Sequence, residues 1–191
     1  MLKKCLPLLC ALALTLSGCA DSRRIETASV IENVSVHQSQ GQLFYTFYLL
    51  SDSDRPNAVT VPAASFEEAR SLAEEQYIPH LSLAKLELLL LHRDVSPAVM
   101  KRDIDYISTQ ASFSPVAHVA LCDQKTLSRL RRDPDAQELI ERQIDLLRRD
   151  RPEVRTSYLA VLNGYAQGDQ FSVPLITDDR ELRVSSERIV P

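Results

Sequence analysis

Apolar positions alternate first at the head of the folded part of the chain. Val30, Val34 and Val36 share one face of a strand predicted over residues 28–36, and the aromatic-rich run Gln42 to Leu50 predicts a second. His37-Gln38-Ser39-Gln40-Gly41 reads as the hairpin loop between them, and Ser51 to Asn57 as a turn-rich loop after them. The period then changes to that of a helix. Ser65-Phe66-Glu67-Glu68 has the form of a capping box, in which serine accepts from the amide three residues on and the glutamate reaches back. The helix it opens runs to about Tyr77, with Phe66, Ala69, Leu72 and Ala73 on its apolar face and Pro79 stopping it. Residues 84–91 fit a helix or a strand by period; being short and lying between two stronger helical segments, they read as a buried strand. Pro97 opens a helix to about Gln110 carrying Met100, Ile104 and Ile107 on one side, and Val116 to Cys122 reads as another buried strand.

Strand, helix, strand over residues 84–122 is a βαβ-like unit, which implies a parallel pair. Asp123 is placed to cap a short helix bearing Leu127 and Leu130. Asp133-Pro134 predicts a helix to about Arg149, with Leu139, Ile140, Ile144 and Leu147 inward. Pro152 predicts a further helix with Tyr158, Val161, Leu162 and Tyr165 inward and Gly168 at its end. Residues 170–176 and the last few residues read as short strands. The fold class expected is α/β (α+β): a mixed central sheet with flanking helices in a single domain.

The first residues follow a different logic. Lys3-Lys4, an apolar run from Cys5 to Leu16 and Ser17-Gly18-Cys19 are the three parts of a secretory signal. The run is about a dozen residues, against the roughly 20 needed to span a bilayer. Leu16-Ser17-Gly18-Cys19 has the lipobox pattern, in which small residues precede the cut and the cysteine thiol receives diacylglycerol. The expected organisation is a signal peptide over 1–18, a lipidated tether over 19–27 and an α/β domain over 28–191. Multiple acyl chains on Cys19 would hold the chain stably at a membrane surface.

Cleavage before Cys19 leaves 173 of the 191 residues, enough to bury roughly 70% of the unfolded surface in one domain. It also removes Lys3 and Lys4, so 20 of the 22 basic side chains remain against 26 acidic, a net charge near −6. That balance argues against nucleic acid, which demands a basic field, and against broad adhesion to anionic lipid. Cys5 and Cys10 leave with the signal and Cys19 carries lipid. Cys122, in an apolar run, is expected as a buried, inert thiol, and no internal disulfide is expected.

Candidate chemistry is sparse. His37, His80, His92 and His118 are scattered without metal-ligand spacing. Asp52-Ser53-Asp54 lacks the glycine and terminal glutamate of a calcium loop and reads as a turn. The runs Arg129-Leu130-Arg131-Arg132 and Arg148-Arg149-Asp150-Arg151 fall at helix C-termini, where the helix dipole accounts for them. No nucleophile elbow, phosphate loop or zincin motif occurs. No catalytic residue, metal or cofactor is expected, and the chain is not expected to be an enzyme.

The order of pieces resembles one known family. Cys19 followed by Arg23-Arg24-Ile25-Glu26 is similar to the Cys…Arg-Glu-Ile-Glu opening of Ger(x)C-type spore germination lipoproteins, the C subunits of nutrient germinant receptors. Ser65-Phe66-Glu67-Glu68-Ala69 resembles that family's Ser-x-x-Glu-Ala helix start, and Leu83 through Leu91 its next strand. Asp103-Ile104-Asp105-Tyr106-Ile107 resembles its Leu-Asp-Phe-Leu helix, Val116 to Asp123 the following strand, and Lys125-Thr126-Leu127 the short helix after it. The resemblance runs from the lipobox to about Pro174.

Three departures stand beside it. Ser35-Val36-His37 replaces the family's Gly-x-Asp, and Ser108-Thr109 stand where an arginine often follows the Leu-Asp-Phe-Leu helix. Family members also usually continue into two further domains, so the chain is expected to be a free-standing N-terminal domain. The resemblance implies a non-catalytic α/β domain on the extracytoplasmic face of the cell membrane, or of the spore inner membrane. Its partners would be integral membrane germinant-receptor-type subunits. A surface lipoprotein that binds a small solute or an envelope polymer is the alternative.

Overall fold

The computed structural model describes residues 29–50, 57–110, 112–133 and 135–191. The lipobox, Cys19, the tether and the Asp52-Ser53-Asp54 turn lie outside the described residues, as does Pro134. Among the described residues, eight strands form one sheet: β1 (Ser29–Ser39), β2 (Gln42–Leu49), β3 (Asn57–Pro62), β4 (Leu81–Ser82), β5 (Leu88–His92), β6 (His118–Cys122), β7 (Phe171–Asp178) and β8 (Leu182–Ile189). Their order is β3-β2-β1-β5-β6-β7-β8, with β4 also pairing β1. The central strands β1, β5, β6 and β7 run parallel, and β2, β3 and β8 run antiparallel to their neighbours. The mixed α/β sheet expected from the sequence is therefore the observed architecture.

Among the described residues, five helices cover it: α1 (Phe66–Gln76), α2 (Pro97–Ser108), α3 (Gln124–Leu130), α4 (Ala136–Asp150) and α5 (Tyr158–Gln167). On the first face, α1, α2 and α5 bury Phe66, Ala69, Ile104, Ile107, Tyr158 and Val161 against Val34, Val36, Phe47, Leu89 and Val119. On the second face, α3 and α4 bury Leu127, Leu130, Ile140 and Ile144 against Leu88, Leu90, Ala120, Cys122 and Ile176. Leu88 to Leu91 are all buried because their alternate side chains enter two different cores, which explains a continuous apolar run in a parallel strand. Burial of each such leucine contributes roughly 1.5–3 kcal/mol.

Local chemistry accounts for most element ends. Ser65, Ser96, Asp123 and Ser157 cap α1, α2, α3 and α5 by accepting from Glu68, Val99, Thr126 and Ala160 amides. Glu68 does reach back, but to the Ala64 amide at 2.7 Å, one residue outside the expected box. Gly168 ends α5 at φ +70, the left-handed conformation expected of a terminal glycine. The β1–β2 connection is tighter than expected. His37 to Ser39 belong to β1, and only Gln40 and Gly41 turn, both with positive φ (50 and 80), as in a type I′ hairpin.

Several elements depart from the reading of the sequence. In β1 the register steps from Ile31↔Leu49 to Asn33↔Tyr48, so Glu32 is an extra residue and the strand is bulged. The bulge puts Ile31, rather than Val30, on the core face with Val34 and Val36. Strands β3 and β4 were not expected, and β5 begins at Leu88 rather than residue 84. Leu139 is exposed and Leu147 half-buried; the inward line of α4 is Ala136, Ile140 and Ile144. The helix expected from Pro152 starts at Tyr158 instead. Backbone from 154 to 157 bonds to the sheet, with Arg155 N donating to Ser172 O at 2.8 Å and Val119 N to Thr156 O at 2.9 Å. Pairing with β6 and β7 outweighs the helix-start signal of the proline.

Candidate functional site

In open sheets with parallel central strands, ligands bind beyond the carboxyl ends of those strands. Here the carboxyl ends of β1 and β5 carry a groove on one face and a pair of histidines on the other. The groove has a volume of about 620 Å³. Its walls are the β1–β2 turn at Gln38 and Gln42, the segment after β3 at Pro62 and Ala63, and the first turns of α1 and α2 at Glu68 and Val99. Leu43 and Val99 give its lining apolar groups, and Gln38, Glu68 and Ser96 give it polar ones.

One buried carboxylate fixes how these walls meet. Asp103 Oδ2 accepts from the Tyr45 hydroxyl at 2.7 Å, and Oδ1 from the Phe66 amide at 3.2 Å. Arg102 donates to the same Oδ1 through Nε at 3.0 Å and Nη2 at 2.9 Å. Asp103 is only 2% exposed, so β2, α1 and α2 are joined by hydrogen bonds shielded from water. Burial, reinforced by the Asp103 charge, pushes the Tyr45 phenol far above its ordinary range and keeps it a neutral donor. Asp103 was absent from the candidates drawn from sequence, although a signal existed. Met100, Asp103, Ile104 and Ile107 form the i, i+3, i+4, i+7 stripe of α2, so an acid stands at a core position.

On the opposite face, Val36 pairs with Leu91, so the next residues, His37 and His92, sit side by side on adjacent strands. The His37 ring stacks on Phe44 with centroids 5.2 Å apart. Arg131, across from them, donates to the Thr46 hydroxyl at 3.0 Å. Burial first, and then the charges of Arg131 and His92, hold His37 below the usual imidazole range. His37 Nδ1 is buried and has no hydrogen-bond partner among the described residues. His92 Nδ1 accepts from the Asp94 amide at 3.3 Å. The pair is therefore a partly desolvated feature beside one arginine.

The other two histidines lie at the amino ends of the strands. His80 has positive φ (56), and its carbonyl accepts from the Ser29 amide at 3.0 Å. His118 Nε2 stands 4.0 Å from Asp145, and burial outweighs the pull of that carboxylate to lower its pKa. Nearby, Gln137 donates to Glu87 at 2.7 Å and Glu141 at 3.0 Å. Burial, then Glu87, Asp145 and Glu32, raise the Glu141 pKa against the stabilising Gln137 bond. Burial and Glu87 likewise raise that of Glu32. The four histidines thus form one adjacent pair and two separate residues. Among the described residues, no group of three His, Cys, Asp or Glu side chains is arranged to hold a metal ion.

Cys122 is fully buried, and burial pushes its thiol pKa well up. The arginine runs serve several ends. Arg132 Nε donates to the Ser128 carbonyl near the end of α3 at 3.0 Å, as the helix-dipole reading implies. Arg129 pairs instead with Asp133 at 3.1 Å and Asp178 at 3.5 Å. Arg148 pairs with Asp145 at 3.0 Å. No helix among the described residues is long and apolar enough to cross a membrane. No protein-family model matches the chain, and no match was found among curated proteins or solved structures.

Proposed function

We propose that the chain is a membrane-anchored, non-catalytic lipoprotein of the germinant-receptor C-subunit type, docking to integral membrane partners in spore germination. The observation that carries this reading is Leu16-Ser17-Gly18-Cys19 placed after Lys3-Lys4 and a short apolar run. A mixed sheet with flanking helices accords with the domain the family resemblance implies. Lipid on Cys19 would confine the domain to a surface, so weak contacts with membrane-embedded subunits would act at high effective concentration. The test is metabolic labelling with a fatty acid, followed by crosslinking and pull-down from membranes, with a Cys19→Ala control. The reading expects label on the wild-type chain alone and co-purification of a multi-span protein. An unlabelled chain, or normal germination with all nutrients after gene deletion, would overturn it.

The groove favours a second reading, a surface lipoprotein that binds a small solute or envelope polymer. Its volume lies in the range of about 300–1,000 Å³ usual for ligand sites, and its lining mixes apolar and polar residues. Titration with soluble cell-wall fragments, followed by NMR, should then shift Leu43 and Val99. Unchanged spectra at millimolar fragment would remove this reading.

A further inference from the structure

The lipid-anchored reading leaves open which side of the domain meets the membrane, and the distribution of exposed apolar groups bears on it. Seven large hydrophobic side chains are exposed among the described residues. Single exposed hydrophobics are ordinary, so what bears on orientation is the end of the fold at which they lie. Two of the seven, Leu139 and Leu146, lie on α4 among Glu138, Arg142, Asp145 and Arg149. The other five are Leu50, Tyr77, Val116, Leu159 and Val190, and all lie at the amino-end pole of the parallel strands.

The hydrogen bonds establish that placement. Leu50 N donates to Val30 O at the start of β1. Tyr77 follows α1, three residues before His80, whose carbonyl accepts from the Ser29 amide. Val116 precedes β6, and Leu159 N bonds to Pro115 O beside it at 3.2 Å. Val190 follows Ile189, which pairs with Phe171 at the start of β7. Arg70 ties the α1 side of this pole together, donating to Leu81 O and to Gln110 Oε1. At the carboxyl-end pole, none of the seven appears.

We propose that this amino-end pole rests on the lipid bilayer, with Leu50, Tyr77, Val116, Leu159 and Val190 in its interfacial layer. The inference rests on acylation of Cys19. Ser29, where β1 begins, is at this pole, ten residues after Cys19. Ten residues span at most ~33–36 Å when fully extended. The 11 residues of β1 are themselves ~36 Å long. The carboxyl-end pole could therefore face the bilayer only with the tether pulled taut along the whole body, whereas the amino-end pole reaches it without stretching. Apolar contact, with a tyrosine at headgroup depth, is the chemistry on offer. Glu74 and Glu75 precede Tyr77 at the end of α1, and Glu87 and Glu141 line the same pocket as Val116, so acids flank both sides of this pole and its contact rests on the apolar groups rather than on charge.

The chain contains no tryptophan, so one introduced tryptophan reports on its own surroundings. The acylated protein carrying Tyr77→Trp, Val116→Trp or, at the opposite pole, Gln38→Trp would be reconstituted into phosphatidylethanolamine–phosphatidylglycerol vesicles with brominated acyl chains. The expected result is about twofold or greater quenching at 77 and 116 and none at 38, since interfacial groups lie within ~5–10 Å of the acyl boundary. Quenching at 38 instead, or at none of the three while the acylated protein floats with the vesicles, overturns the inference and leaves the lipoprotein reading intact. Blue-shifted but unquenched emission that grows with surface density would assign the pole to a second copy and also overturn it. A mature mass without the acyl addition at Cys19 would overturn both.

Discussion

Asp103→Ala tests whether the buried carboxylate is what unites β2, α1 and α2. The substitution removes the acceptor of the Tyr45 hydroxyl and of the Phe66 amide, both in residues with no exposed surface. Each stranded buried donor costs roughly 1–3 kcal/mol. Arg102 adds little, because its side chain is 44% exposed and returns to water when its partner is lost. The expected loss is about 3–5 kcal/mol, in line with breaking a buried charged network. For a domain of this size that corresponds to a fall in Tm of roughly 10 °C. Asp105→Ala, two residues on, breaks only an exposed pair with Lys101 and should shift stability by less than about 0.5 kcal/mol. Urea denaturation followed by circular dichroism gives both numbers. Combining Tyr45→Phe with Asp103→Asn in a double-mutant cycle should return a coupling of about 1–2 kcal/mol. The reasoning fails if Asp103→Ala costs no more than Asp105→Ala, or if the cycle shows no coupling.

Other consequences are open to measurement. A Cβ on Gly164 would lie 2.7–3.0 Å from three atoms of the Phe171 ring, so Gly164→Ala should lower stability by about 1–3 kcal/mol despite the better helix propensity of alanine. For Glu141 the folded state binds the proton more tightly than the unfolded chain. Its ionisation therefore costs stability as pH rises above about 4.5 through the raised folded value, and Glu141→Gln should be more stable than wild type at pH 7 and flatten that slope in pH-dependent melting curves. His37 and His118 act in the opposite sense, with folded pKa values below 6.5. Stability should fall as pH drops below 6.5 toward those values, and His118→Gln should weaken the dependence. Cys122 should react with a thiol reagent at the unfolding rate, and fast labelling of the native protein would contradict its burial.

What could be read from the sequence was whatever is written locally. The serine before α1, the proline opening α2 and the leucine run of β5 each carry their own structural reason within a few residues, and the parallel β5–β6 pair follows from their order. What escaped depends on remote partners. Glu32 bulges β1 because of how Tyr48 and Leu49 pair with it, and one extra residue leaves no compositional mark. Residues 154–157 look like a helix start until β6 and β7 claim their backbone. Asn57-Ala58-Val59-Thr60-Val61-Pro62 alternates only briefly and ends in proline, so its edge-strand signal was faint. The groove was not legible at all, since its walls come from four separated segments. Asp103 left a legible mark, an acid in an otherwise apolar helix stripe, yet it was not among the candidates drawn from the sequence.

The position of β1 has a mechanical consequence. It is the first described strand, yet it sits inside the sheet, hydrogen-bonded to β2 on one side and to β4 and β5 on the other. A pull on the chain ahead of Ser29 therefore acts along the strand axis and loads both ladders in shear at once, instead of peeling one edge open bond by bond. A load applied there is shared by many bonds before any of them ruptures, so β1 is among the parts of the fold that yield last.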